Sequence, residues 1–151
     1  VRMERTRAAD GYFARHAGDW DRLRALHAPD SEVEAALLAA VGAGPFRAVL
    51  DLGTGTGRML TLLGGRAERV VGIDANAAML SVARANIERA GLRNAQVRQG
   101  DLYALPIERD GYDVVILHQV LHYLDDPARV IREAARALRP GGRLFVVDFA
   151  P

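Results

Sequence analysis

The sequence predicts an α/β fold with a doubly wound, mainly parallel sheet, and three observations support this fold class. Strand and helix patterns alternate along most of the chain, which is typical of parallel strands joined by crossover helices. Residues 114–117 form a continuous apolar run, as expected for a strand buried on both faces. A second apolar run at 48–50 leads through Asp51 into glycine at alternate positions, which describes a first strand, a tight turn and a helix start.

Cap signals place the first helices. Ser31 followed by Glu34 is a capping-box pattern, and it predicts a helix that ends at Gly42. The apolar residues at 59–63 follow the glycine turn directly and have the spacing of a second, short helix.

Two further helices have clear start and stop signals. Asn76 can cap a third helix, which Gly91 would close. Asp126 at the cap position and Pro127 after it open a fourth helix, which ends at residues 140–142. The strand patterns between the helices lie at 48–51, 69–74, 96–98, 113–117 and 143–149.

The first 30 residues form an arm ahead of the sheet. Tyr12, Phe13 and Trp20 are interleaved with arginine and aspartate, a pattern that predicts one or two short amphipathic helices. The chain has no internal repeat and no long linker. We therefore interpret residues 1–151 as one domain, with the arm at 1–30 and the core at 31–151.

Composition excludes several classes of function. The 151 residues carry a formal net charge of +1 with both signs scattered, so we predict no direct contact with nucleic acid. We expect a cytoplasmic location and no membrane partner, because cysteine, a secretory signal and an apolar stretch of roughly 20 residues are all absent. Lysine is also absent, so these residues offer no Schiff-base or P-loop lysine.

The glycine turn is the strongest functional signal. Gly53, Gly55 and Gly57 can reach positive φ, and without a Cβ they let a ligand lie against the backbone. Open α/β sheets bind cofactors at such a turn after the first strand. The third glycine or alanine of a dinucleotide fingerprint would fall at Arg58, so the sequence disfavours NAD.

The pattern Asp-x-Gly-x-Gly-x-Gly at 51–57 resembles the first motif of class I S-adenosylmethionine-dependent methyltransferases. Three later segments match this family in order and spacing, namely Asp74, the residues at 100–102 and the turn at 138–144. The resemblance implies a Rossmann-like sheet with strand order 3-2-1-4-5. It also implies S-adenosylmethionine as cofactor and S-adenosylhomocysteine as product.

The family has a seven-stranded sheet, whereas five strands are visible here. The resemblance therefore implies that the C-terminal strands of the family fold are absent from these residues, and we expect a trimmed core of a longer protein. A fifth strand at an open edge can pair with another chain, which leaves a homodimer as an alternative.

The resemblance also implies a set of cofactor-binding residues. Asp51 would hold the ammonium group, the glycine turn the methionyl end, Asp74 the ribose hydroxyls and Asp101 the adenine amine. Ordinary structural roles stay open, with Asp74 as a helix cap, Asp101 as a turn former and Met79 as a core residue. The full set is Asp51, Gly53, Thr54, Gly55, Gly57, Asp74, Ala75, Met79, Gly100, Asp101, Leu102 and His118.

The residues after the fourth strand are expected on the acceptor side. His118 is expected to line the cofactor pocket, and His122 to be exposed or covered by the N-terminal arm. The candidates for catalysis are His118, His122 and Tyr12, with either histidine as a general base. Tyr12 and Trp20 would close the site or pack the arm onto the domain. The two histidines are four residues apart and would share a metal on a helix, but a credible third ligand is lacking, so we predict no metal.

The arm at 12–21 and the segment at 117–127 together resemble the methyltransferase part of bacterial fusions with an ArsR-type regulator. This narrower resemblance implies a winged-helix regulator domain in the full-length protein. Arsenite is disfavoured as acceptor, because family members bind it through cysteine thiolates. We therefore predict a methyltransferase acting on an unidentified small molecule; the alternative is a non-catalytic S-adenosylmethionine sensor attached to a transcriptional regulator.

Overall fold

The computed structural model describes residues 30–148. The arm at 1–29, with Tyr12 and Trp20, and the last three residues lie outside the described part. The helices are α1 (Asp30–Val41), α2 (Arg58–Leu63), α3 (Ala77–Arg89) and α4 (Pro127–Ala137). The strands are β1 (Phe46–Leu52), β2 (Ala67–Asp74), β3 (Ala95–Gln99), β4 (Tyr112–His118) and β5 (Leu138–Val147).

The five strands form one parallel sheet in the order β3-β2-β1-β4-β5, which confirms the predicted fold class. Leu50 on β1 pairs with Val71 on β2 and with Val115 on β4. The strand order reverses at β1, so the carboxyl ends of β1 and β4 border the crevice where such sheets bind ligands.

Both faces of the sheet are buried. Val49 packs with Leu60 and Leu80 in a core beneath α1, α2 and α3. The next residue, Leu50, points to the opposite face and packs with Ala134 of α4. Because helices cover both faces, the strands are apolar on both sides, which explains the continuous apolar runs in the sequence. No helix in the described part of the chain is long and apolar enough to cross a membrane.

Two predicted helix caps are confirmed and one capping box is wrong. Asn76 accepts a hydrogen bond from Met79 N at 3.0 Å, and Asp126 accepts one from Arg129 N at 3.3 Å. Ser31 does not cap α1, because the helix already includes the residue before it. Glu34 instead binds the Arg58 guanidinium through two hydrogen bonds of 2.8 Å, since a charged partner outcompetes a local backbone N–H.

The fifth strand begins earlier than the sequence predicts. Leu138 follows α4 directly and already pairs with Tyr112, whereas a turn was expected at 140–142. The register then shifts, and regular pairing resumes where Arg143 meets Val114. Gly141 lies within this irregular stretch at a φ of 82°. The strand therefore starts directly after α4, but its pairing with β4 is irregular where the glycines lie.

Candidate functional site

The turn between β1 and α2 is fixed to the end of the neighbouring strand. Gly53 N and Thr54 N both donate to the carbonyl oxygen of Ile73, at 2.8 and 3.0 Å. The turn thus lies at the carboxyl ends of β1 and β2, the edge where the sequence places the cofactor.

Asp51 is buried at this edge and is held by the turn. The Thr54 hydroxyl donates to Asp51 Oδ2 at 2.8 Å, and Asp51 is only 2% exposed. The Thr54 side chain packs directly on the backbone of Gly72, where a Cβ would lie only 2.5 Å from Thr54 Oγ1. Gly72 is a residue that the sequence analysis missed, although a glycine inside a strand signals such a close approach.

Asp74 reaches the same turn from β2. Its Oδ2 accepts a hydrogen bond from Gly55 N at 2.9 Å, and its Oδ1 accepts one from Asn76 N at 2.9 Å. Asn76 is the cap of α3, so the alternative role of Asp74 as the helix cap is wrong. A carboxylate has two oxygens with two lone pairs each, so it can accept several hydrogen bonds at once.

The three glycines of the turn have positive φ, at 70° for Gly53, 56° for Gly55 and 80° for Gly57. A Cβ at Gly53 would lie 2.7 Å from Val120 Cγ2, and one at Gly57 would lie 3.2 Å from Ala83 Cβ. The backbone therefore approaches its neighbours closely at both ends of the turn.

Met79 packs beneath the centre of the turn. It is 2% exposed, and its Cε would lie 3.6 Å from a Cβ placed at Gly55. The buried position agrees with the core role left open for Met79, and its contact with Gly55 places it beside the glycine turn. Ala75 is exposed next to Asp74, and its carbonyl oxygen accepts a hydrogen bond from Gln99 Nε2 at 3.0 Å.

The loop after β3 continues the same edge. Gly100 N donates to the carbonyl oxygen of Asp74 at 3.0 Å. Asp101 forms a turn, because its Oδ1 accepts a hydrogen bond from Tyr103 N at 2.9 Å. The Leu102 side chain is buried in the core beneath α4.

The two histidines after β4 do not share a helical face. His118 is the last residue of β4, and Gln119 follows with a φ of 56°. His122 lies in a short 3-10 turn, Leu121–Tyr123, so the spacing that suggested a metal site has no α-helix behind it. Residues 30–148 contain no group of three histidine, aspartate or glutamate side chains arranged to hold a metal ion.

Asp148, just after β5, is a second residue that the sequence analysis missed. Its Oδ2 accepts a hydrogen bond from Leu121 N at 2.8 Å, and its Oδ1 lies 2.5 Å from His122 Nδ1. A carboxylate is an acceptor, so His122 Nδ1 carries the proton in this contact. The imidazole is 34% exposed, so solvent reaches it.

An open parallel sheet with a glycine turn and acids at the carboxyl ends of its central strands is the arrangement with which α/β domains bind nucleoside-type cofactors. Residues 50–146 match a family described as a methyltransferase domain. The chain therefore belongs to the methyltransferase domain family.

Individual relatives agree with this assignment. The uncharacterized methyltransferase Mb3374 of Mycobacterium bovis is 38% identical over 135 residues, 89% of this chain and 51% of that protein. An arsenite methyltransferase of Aquipseudomonas alcaligenes is 39% identical over 110 residues, 66% of this chain and 32% of that protein. The solved DhpI-SAM-HEP complex has a TM-score of 0.75 and 32% identity, covering 99% of this chain and 67% of that one. The chain thus spans about a third to a half of the length of these curated relatives.

Proposed function

We propose that this chain binds S-adenosylmethionine at the carboxyl edge of its sheet and serves a methyl transfer to a small-molecule acceptor. The observation that carries the proposal is the meeting of two acids at one turn. Asp51 from β1 binds Thr54, and Asp74 from β2 binds Gly55, so both carboxylates lie against the glycine turn.

The charges at the turn suit a cationic amino-acid nucleoside better than a pyrophosphate. The two carboxylates favour an ammonium group and ribose hydroxyls, which are hydrogen-bond donors. Arg58, the cation nearest the turn in sequence, is bound by both carboxylate oxygens of Glu34 through one edge of its guanidinium. A pyrophosphate would face two acids across a turn whose adjoining arginine is already neutralised.

Each end of the cofactor would have its own residues. The ribose hydroxyls would bind Asp74, and the adenine would lie beside Met79 and the backbone at 100–102. The methionyl end would lie over the glycine turn near Asp51. The residues proposed for the cofactor are Asp51, Gly53, Thr54, Gly55, Gly57, Asp74, Ala75, Met79, Gly100, Asp101, Leu102 and His118.

The cofactor, when bound, supplies a methyl group already activated by the sulfonium charge. The residues of this chain then have to position the acceptor and exclude water. Where the acceptor must lose a proton, His122 is the candidate base, since Asp148 accepts the Nδ1–H and a neutral imidazole is basic at its other ring nitrogen. Tyr12 lies outside the described residues and keeps its place as a sequence prediction.

The acceptor is proposed only as a small molecule. One of the relatives above is named an arsenite methyltransferase. Soft metalloids such as arsenite prefer thiolates as protein ligands. These 151 residues contain no cysteine, so any thiolate would come from outside them. The ArsR-type regulator domain, the homodimer and the cytoplasmic location stay predictions from the sequence.

Calorimetric titration of the full-length protein tests the proposal. We expect binding of S-adenosylmethionine and S-adenosylhomocysteine, and no binding of NAD. Asp74→Ala should weaken binding by about 1.5–3 kcal/mol, because it removes a charge-assisted contact to the ribose. Glu68→Ala is the matched control, since Glu68 is an exposed acid near the other end of β2. Binding of NAD alone, or equal effects of the two variants, would overturn the proposal.

A further inference from the structure

Tyr103 connects two loops at the proposed site. Its backbone N–H donates to Asp101, the second residue of the loop after β3. Its phenol oxygen accepts hydrogen bonds from Asp125 N at 3.1 Å and from Asp126 N at 3.2 Å. One side chain therefore links the loop assigned to adenine with the segment at 119–126, which carries His122.

The tyrosine ring is held from a second direction. The Arg129 guanidinium, in the first turn of α4, lies 5.5 Å from the centroid of the Tyr103 ring. The phenol oxygen therefore lies at the start of α4, where backbone N–H groups have no partner within the helix. The hydrogen bond from Asp126 N satisfies the N–H of the cap residue, which the helix itself leaves unpaired, and the one from Asp125 N comes from the residue before the cap.

The rest of the loop is fixed to α4 by a charged pair. Leu105 N donates to Glu133 Oε1 at 2.8 Å, and Arg136 Nη2 donates to the Leu105 carbonyl oxygen at 3.2 Å. The hydrogen bond from Arg136 holds the pKa of Glu133 below its usual range, so the acid stays charged. With its far end anchored, the loop presents Tyr103 at a defined distance from the segment at 119–126.

We propose that Tyr103 is a positioning residue that makes the segment at 119–126 respond to a cofactor bound beside Asp101. This inference rests on the proposed function. A ligand that fixes Asp101 also fixes the Tyr103 backbone, and the phenol oxygen passes that constraint to Asp125 and Asp126. The position of His122 is then tied to occupancy of the adenine end, so the acceptor side becomes ordered when the cofactor is present.

Amide hydrogen exchange of the full-length protein, with and without S-adenosylhomocysteine, tests the coupling. The readout is the exchange of Tyr123 N and Leu124 N, which bond to Val120 and Leu121 rather than to Tyr103. We expect the ligand to slow their exchange about fivefold, comparable to one net hydrogen bond. Tyr103→Phe should abolish this slowing, because it removes only the phenol oxygen.

Tyr112→Phe is the matched control, since the Tyr112 hydroxyl is buried at the opposite edge of the sheet and this variant should retain the slowing. If Tyr103→Phe does not fold, Arg129→Gln weakens the same connection and should reduce the slowing. Calorimetry on the same samples separates the two proposals. Absence of binding overturns the proposed function and the coupling with it. Binding with equal slowing in Tyr103→Phe, or with none in the wild type, overturns the coupling alone.

Discussion

Asp74 accepts a hydrogen bond from the backbone N–H of Gly55 at 2.9 Å, so the acid that ends β2 is bonded to the turn that follows β1. The second oxygen of the same carboxylate binds Asn76 N, at the cap of α3. The Asp74 carboxylate, which is proposed to bind the ribose, is thus held in place by two backbone N–H groups. This arrangement lowers the cost of ordering the carboxylate when a ligand binds.

The conformation of Gly57 predicts a loss of stability on substitution. Gly57→Ala should lower the free energy of unfolding by about 1–2 kcal/mol, because φ is 80° and the new Cβ would lie 3.2 Å from Ala83 Cβ. Urea denaturation measures the change. Gly65→Ala is the control, since no described atom lies within 4 Å of its Cβ and its φ is not positive. Equal losses in the two variants would contradict the assigned strain.

The Glu34–Arg58 pair should join α1 to the start of α2. We expect a double-mutant cycle of Glu34→Gln and Arg58→Gln to give a coupling of about 1 kcal/mol, since the geometry is bidentate and Glu34 is largely buried. The exposed pair of Arg69 and Glu108, 4.0 Å apart, should give a coupling near zero. Chemical denaturation of the single and double variants measures both, and a coupling of zero for the first pair would refute the prediction.

Tyr112 should make stability fall in alkaline solution. Burial raises its pKa above the ordinary value of 10.0, and nearby Arg69 opposes the rise only in part. The folded protein therefore keeps a proton that the unfolded chain loses, so the free energy of unfolding should decrease as the pH rises above about 10.

The control for this prediction is Tyr112→Phe. The Tyr112 hydroxyl is buried without a hydrogen-bond partner among the described residues, so its removal should stabilise the protein by about 1 kcal/mol at neutral pH. The variant should also lose less stability in alkali than the wild type. Identical pH dependence of unfolding in the two proteins would show that Tyr112 is not the group responsible.

Much of the fold follows from local sequence signals. The strands β1, β2 and β4 could be predicted from apolar runs, because helices cover both faces of the sheet and the strands are therefore apolar on both sides. Asn76 and Asp126 were readable as caps, since their partners lie three residues further along the chain. The glycine turn could also be predicted locally, because a positive φ is a requirement on the residue itself and favours glycine.

The missed features all depend on residues distant in sequence. Asp148 binds His122 across 26 positions, Glu34 binds Arg58 across 24, and Tyr103 reaches Asp125 across 22. A single acid or tyrosine on a loop has many roles open to it, and only the folded chain selects its partner. The capping-box prediction for Glu34 was wrong for this reason, because its carboxylate binds the Arg58 guanidinium of another helix.

Amide chemical shifts of the full-length protein during titration with S-adenosylhomocysteine show whether the cofactor binds at the carboxyl edge of the sheet. We expect the largest shifts at Gly55, at Asp74 and at Leu102, with little change at Phe46 and Tyr112 on the amino edge of the sheet. Shifts concentrated at the amino edge, or none at saturating ligand, would contradict the proposed binding site.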